Sequence, residues 1–476
     1  MNVMKLDVED VTVFVKTKTN RKSLKQILNK DFIKQVLFIS IPIMIQQVLI
    51  TSFGLVDSFM VSPLDNNLSI TAVGLCASIE MIVNCVLFGI GTGVSVFASQ
   101  YFGAKDKNGM QKCFLLHLSL NLAFSLICCG CVYFLNEQIL GIYMNKNSDP
   151  QIMVLAKKYI KIACFSYIFA SINHTFMHNY RIIKKSYIPL IVGIVALISN
   201  FSINLVLING YLSFPKLGIA GAAYGTLLSS MISVSVYVAI TFITKQPFLG
   251  KISIIKQSYQ KDFFIKVLRK MLPLVLNELL FGIGLSMYSK LFMYTEKQYP
   301  SYIMADKVAM VFFNTTFGIN NAASVLMGAE LGKGNIENTK DYRKGFLALA
   351  LIYGSFVAII MCIFGPSLLS VYDKPTKLAV YILYLYTIKI LLRSVNVINL
   401  ATLRVGGDSK FIFFIDCGLQ WLVGILLGFI LVVGFNVTNI LIVFAVMQIE
   451  QVVRLIGMTI RINKDKWANI LIERNT

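Results

Sequence analysis

Of the residues with side-chain oxygens inside otherwise apolar stretches of this 476-residue chain, six are candidates to act on a cation or substrate: the carboxylates Asp57, Glu278 and Asp416, the amides Asn200 and Asn204, and the hydroxyl of Thr226. A charge in hydrocarbon costs roughly 2.5–3.5 kcal/mol on insertion scales, so such acids face the protein interior or a water-filled path. Asp57 is the most telling. Its own stretch supplies no cation, so it needs a mobile cation, a proton or polar neighbours. Asn200 and Asn204 lie one helical turn apart on one face. With Thr226 and Asp57 they would make an all-oxygen site for a hard cation such as Na⁺, although nothing in the spacing brings α-helices so far apart in sequence together.

The other charges have candidate partners. Glu450 and Arg454 are spaced i,i+4 and are expected to neutralise each other. Lys290 and Asp306 end and begin successive stretches and are candidates to pair. Glu278 is expected either to bind a cation or to pair with Arg393. His174 and His178 are one turn apart but lack an accompanying acid or cysteine, so they read as interfacial side chains rather than as metal ligands. Gly89, Gly91 and Gly93 form a GxGxG inside an apolar helix with no strand before it, which suits close helix packing and not a nucleotide. The nine cysteines show no paired CxxC framework and read as small packing residues. No clustered acid, base or nucleophile suggests an enzyme, no phosphate-cradling loop suggests ATP, and no resident cofactor is expected.

The elements that must carry these residues are membrane spans. The chain is 56% hydrophobic and only 14% charged, against about 25% charged in soluble domains. Twelve apolar spans are read near 35–61, 70–99, 113–134, 153–177, 188–210, 219–243, 272–295, 301–330, 345–364, 378–401, 411–434 and 438–460, each of a length that suits a bilayer. The net charge of +21 is not scattered as nucleic-acid binding would need: 31 Lys and Arg fall on one side of the spans and 5 on the other. Basic residues stay on the cytoplasmic face during insertion, which predicts a multi-pass plasma-membrane protein with both termini cytoplasmic, in contact with membrane lipids and not with nucleic acid.

The plan is used twice. Pro42–Gly103 and Pro273–Gly332 share one pattern: an apolar helix, a polar break, a second apolar helix, then glycine with lysines beyond. Arg181 precedes Ser186 as Arg404 precedes Ser409, each arginine opening a short basic loop. The expected fold is therefore an all-α integral membrane protein of twelve transmembrane helices in two pseudo-symmetric six-helix lobes, working as a monomer. Its divisions are a tail at 1–34, an N-lobe at 35–245, a linker at 246–271, a C-lobe at 272–460 and a tail at 461–476.

Several motifs stand at helix boundaries: Pro42 and Asp57 in span one, SQYFGAKD at 99–106, LGIAGAA at 217–223, LPLVLNE at 272–278 and LRVGGDSKF at 403–411. In their order they resemble the multidrug and toxic compound extrusion (MATE) family of the polysaccharide-exporter superfamily, over nearly the whole chain after about residue 34. The resemblance implies export of amphipathic organic cations by antiport with Na⁺ or H⁺. It maps the family's first-helix aspartate onto Asp57, its fifth-helix polar pair onto Asn200 and Asn204, and its sixth-helix threonine onto Thr226. Where some members carry an aspartate, this chain has Asn204, which argues against a two-carboxylate relay. Glu278 matches the family's seventh-helix glutamate, but span ten holds Lys389 and Arg393 in place of an acid. The competing reading is a lipid-linked oligosaccharide flippase of the same superfamily, which would use Lys290, Lys307, Lys389 and Arg393 against a pyrophosphate.

Overall fold

The computed structural model describes residues 22–61, 64, 68–144, 149–250, 254–295, 298–370 and 376–473, with the side chains of 51–56, 58, 59 and 255 outside that description. Most of the N-terminal tail, the loop around Asn145 and Asn147 and part of the linker therefore lie outside the described residues. Within them the chain is helical, with no strand. The twelve expected spans are present as α1 Lys30–Val61, α2 Leu68–Gly103, α3 Lys107–Phe134, α4 Pro150–Ala163 with Ser166–Ile182, α5 Tyr187–Asn209, α6 Ile219–Ile243, α7 Lys261–Met293, α8 Tyr299–Lys333, α9 Ile336–Leu369, α10 Lys377–Val405, α11 Ser409–Gly434 and α12 Ile440–Met447 with Ile449–Asn463. Ten of these pass as membrane-crossing helices by length and apolarity. Of the remaining two, α4 breaks at Cys164 and Phe165, and α8 carries Asn314, Asn320 and Asn321 in its middle.

The helices outrun the apolar stretches. α7 begins at Lys261, inside the stretch read as linker, and α10 continues to Val405, ending where Gly406 and Gly407 break it. Hydrophobicity marks where a helix meets lipid; capping residues mark where its hydrogen-bond ladder stops, as Asp106 does by accepting from the Gly109 amide at the start of α3. Pro42 and Pro273 sit inside α1 and α7 at matching places, each deleting one ladder bond. α11 winds partly as π turns at Phe413–Gly418, Gln420–Ile425 and Ile430–Gly434.

Packing divides the molecule along its length. At the lysine-rich end one core joins both sequence halves, from Phe32, Val94 and Phe97 to Met271, Leu326, Leu403 and Trp467. At the lysine-poor end there are two separate cores. One is built on Val61, Ile79, Tyr159 and Ile208, the other on Phe292, Tyr302, Tyr386 and Phe444. The halves are thus fused at one end and independent at the other.

Glycines make the fusion possible. Along the seam, a Cβ on Gly89 would lie 2.7 Å from Val275 Cα and one on Gly93 2.6 Å from Met271 Cα. At its tip the contact is reciprocal: a Cβ on Gly103 would come within 1.9 Å of the Ala329 carbonyl oxygen, and one on Gly332 within 1.9 Å of the Gln100 carbonyl oxygen. The segment after α12 closes over this tip. Gln100, fully buried, donates from Nε2 to the carbonyls of Val405 (3.0 Å) and Asn469 (3.2 Å), and its Oε1 accepts from the Leu471 amide at 2.8 Å. Trp467 is buried against Gly406, so 464–473 straps α2 to the end of α10.

Candidate functional site

Asp57 stands one turn from the lysine-poor end of α1, half-buried, beside α5 and α6. Asn204 Nδ2 donates to Asp57 Oδ1 at 2.7 Å and to Asn200 Oδ1 at 3.2 Å. The side chains of Asn200 and Thr226 also reach the carboxylate, and Tyr159 of α4 reaches Thr226. The i,i+4 spacing places Asn200 and Asn204 on one face of α5, and a glycine sets the distance to α6. A Cβ on Gly225 would lie 1.8 Å from Asn204 Oδ1. The four residues therefore meet. Asn204 Oδ1, although fully buried, has no protein donor. Carboxylate, amide and hydroxyl oxygens suit a hard cation, but Asn204 turns its Nδ2 to Asp57 and Asn200 and its Oδ1 to Gly225, so its amide must turn over to ligate one.

Sequence reasoning missed Glu80 as a member of this site. It faces Asp57 from α2, close enough for the two charges to interact, and the Asn84 side chain hydrogen-bonds it. Asn84 Oδ1 in turn lies 3.3 Å from His174 Nε2. A second carboxylate is thus present, supplied by α2 instead of α5. Its signal was an acid with no cation in an apolar helix, followed one turn later by an amide.

The other two carboxylates are held in ion pairs. Glu278 pairs with Arg404 at 3.0 Å, not with Arg393. Asp416, on the first π turn of α11, takes Arg454 Nη1 at 3.0 Å and Asn277 Nδ2 at 3.0 Å. The expected Glu450–Arg454 pair exists but is loose at 3.9 Å, because Arg454 turns to Asp416 and Glu450 accepts from Tyr288 at 2.8 Å and Gln451 at 2.8 Å. Asp306 accepts from the Tyr386 hydroxyl and does not pair with Lys290, which is exposed, as is Lys307. Lys389 sits over Phe313, Tyr386 and Phe444, and Arg393 over Phe313 and Phe317. Aromatic faces hold these two cations.

Of the two histidines of α4, His174 is partly exposed and His178 is buried. His178 is 5% exposed, 3.3 Å from Ser95 Oγ, and its ring meets that of buried His117 at 5.7 Å. Arg181, which closes α4, is 1% exposed and is no surface loop residue. It lines a cavity of about 40 Å³ in the seam with Ser95, Ser99, His178, Ser324 and Arg404. All nine cysteines are free.

The MatE family profile matches residues 42–206 and 300–430. An uncharacterized transporter YisQ of Bacillus subtilis is 25% identical over 434 residues, 89% of this chain and 92% of its own. A probable multidrug resistance protein NorM of Thermotoga maritima is 24% identical over 351 residues, 72% and 73% of the two chains. Among solved structures, a crystal structure of MATE in the bent conformation superposes with a TM-score of 0.81 at 19% identity, covering 94% of this chain and all of its own.

Proposed function

Because the chain belongs to the MatE family of membrane transporters, we propose that it is a secondary active exporter of amphipathic organic molecules, driven by Na⁺ or H⁺ antiport. The two lobes, 35–245 and 272–460, rock about the linker at 246–271 and expose a cleft to each side of the plasma membrane in turn. Both termini are cytoplasmic, so the fused lysine-rich end is the inner one and the cleft between the separate cores faces outward.

The observation that carries this reading is Asp57, caged by Asn204, Asn200 and Thr226 and paired with no Lys or Arg among the described residues. Na⁺ binds through the oxygens of Asp57, Asn200 and Asn204, or a proton moves to Asp57 or Glu80. Either changes the charge on which the lobes close, and an ion that binds one state better shifts the equilibrium toward it. Glu278 and Asp416 are held by Arg404 and Arg454 and tie α7, α10, α11 and α12 together. The flippase reading gains no support from Lys290 and Lys307, which are exposed, or from Lys389 and Arg393, which stack on aromatic rings.

The test is export from proteoliposomes under separate Na⁺ and H⁺ gradients. Asp57→Asn, nearly equal in volume, is expected to fold normally and lose gradient-driven export. Unchanged export by that variant would move the coupling role to another acid.

A further inference from the structure

Arg181 and Arg404 occupy equivalent places at the ends of α4 and α10 and face one cavity in the seam from opposite halves. They differ in what neutralises them. Glu278 of α7 holds Arg404 at 3.0 Å. The corresponding turn of α1 offers Gln46, whose Oε1 accepts from Arg181 Nη2 at 2.6 Å. An amide faces Arg181 where an acid faces Arg404. Arg181 Nε and Nη1 have no acceptor, and no described carboxylate forms an ion pair with this fully buried guanidinium. The carbonyl end of α4 offsets part of its charge but occupies neither of those N–H groups. A buried cation without a counter-ion is strongly unfavourable and calls for an anion. The cavity beside it is about 40 Å³, lined also by the Ser95, Ser99 and Ser324 hydroxyls, and has room for one small group and not for a whole drug.

We propose that Arg181 and this cavity form a site for an anionic group, and that the group is a carboxylate of the transported molecule. This rests on the exporter reading and narrows it: the substrates include zwitterions, whose carboxylate is taken up at the inner seam when α2 and α8 part. The guanidinium grips the carboxylate through the N–H groups it now leaves unused. Closing the seam then requires the carboxylate to leave toward the cleft or to stay enclosed beside Arg181.

The test compares two dyes that differ only in one group: rhodamine 110, with a free carboxylate, and its methyl ester rhodamine 123. Binding is read by fluorescence anisotropy and export from proteoliposomes. Wild type is expected to bind rhodamine 110 about tenfold more tightly than the ester, the discrimination of a charge-assisted hydrogen-bonded pair. Gln46→Glu, which supplies the missing counter-ion, is expected to bring the two dyes within about twofold of each other and to raise the thermal midpoint. Arg181→Gln is expected to remove the same discrimination. A chloride titration separates the sources. Chloride-dependent thermal stabilisation in wild type but not in Gln46→Glu, with no dye discrimination, keeps the anion site and assigns it to a free ion. Equal dye binding without any chloride effect overturns the site. Failure to export either dye while discrimination persists overturns the exporter reading and leaves the site standing.

Discussion

Among the residues, Glu278 and Arg404 show how a pair and its members differ. Glu278→Gln leaves Arg404 buried without its acid, which costs about 3–5 kcal/mol when one partner of a buried pair is removed. Replacing both with glutamine removes the imbalance, so the double variant is expected to regain most of the thermal midpoint lost by the single one. A double variant as unstable as Glu278→Gln would show that the acid acts through some other contact. Asp57 is expected to behave in the opposite way, with its neutral variant folding and failing in transport. Within the Asp57 cluster, helix geometry alone puts Asn200 and Asn204 on one face and an acid without a cation demands polar neighbours, but that these helices come together is implied only by the family resemblance. Glu80 joined unannounced, since the approach of α2 to α1 is set by tertiary packing. Arg181 and Arg404 were read as loop residues because the apolar stretches stop short of them. The helices do not stop there; they run on to Ile182 and Val405.

At the level of the helices, spacing between axes is controlled by single glycines. Gly225 lets α6 lie directly against the Asn204 side chain of α5, whose amide nitrogen holds Asp57 of α1. Gly225→Ala would place a methyl group 1.8 Å from Asn204 Oδ1, so the amide must swing away or the helices must part. Overpacking of this kind costs roughly 1–3 kcal/mol. The expected result is a folded but less stable protein with gradient-driven export reduced as severely as in Asp57→Asn; full export would show that the amide contact is dispensable. The same principle holds α7 to α11. Gln420 and Trp421 donate to the carbonyls of Phe281 and Leu280, and Gly284 leaves the space that Gln420 fills. Twelve helices could be counted from hydrophobicity. The break in α4 and the π turns of α11 could not, because neither changes the apolar pattern along the chain.

For the whole molecule, the seam at the lysine-rich end is held by the strap of 464–473 as well as by the helices. Removing residues 464–476 takes away two of the bonds to Gln100 and the cover of Trp467. The seam is then expected to open more often, and a cysteine introduced at Ser99, 4% exposed in the closed seam, to react severalfold faster with a water-soluble maleimide. An unchanged rate would make the strap a passenger. Orientation has its own check: a cysteine at exposed Lys256 should be labelled in intact cells by a permeant reagent and spared by an impermeant one.

The reciprocal contact of Gly103 with Ala329 and Gly332 with Gln100 has the form of an isologous interface, in which two copies of one surface meet across a twofold axis. Such interfaces belong to homodimers. The seam is therefore of the kind a six-helix protein would use to bind itself. An interface built for separate subunits does not need the covalent link. Residues 1–250 and 254–476, produced together as two polypeptides, should find each other through this surface and co-purify as a functional exporter.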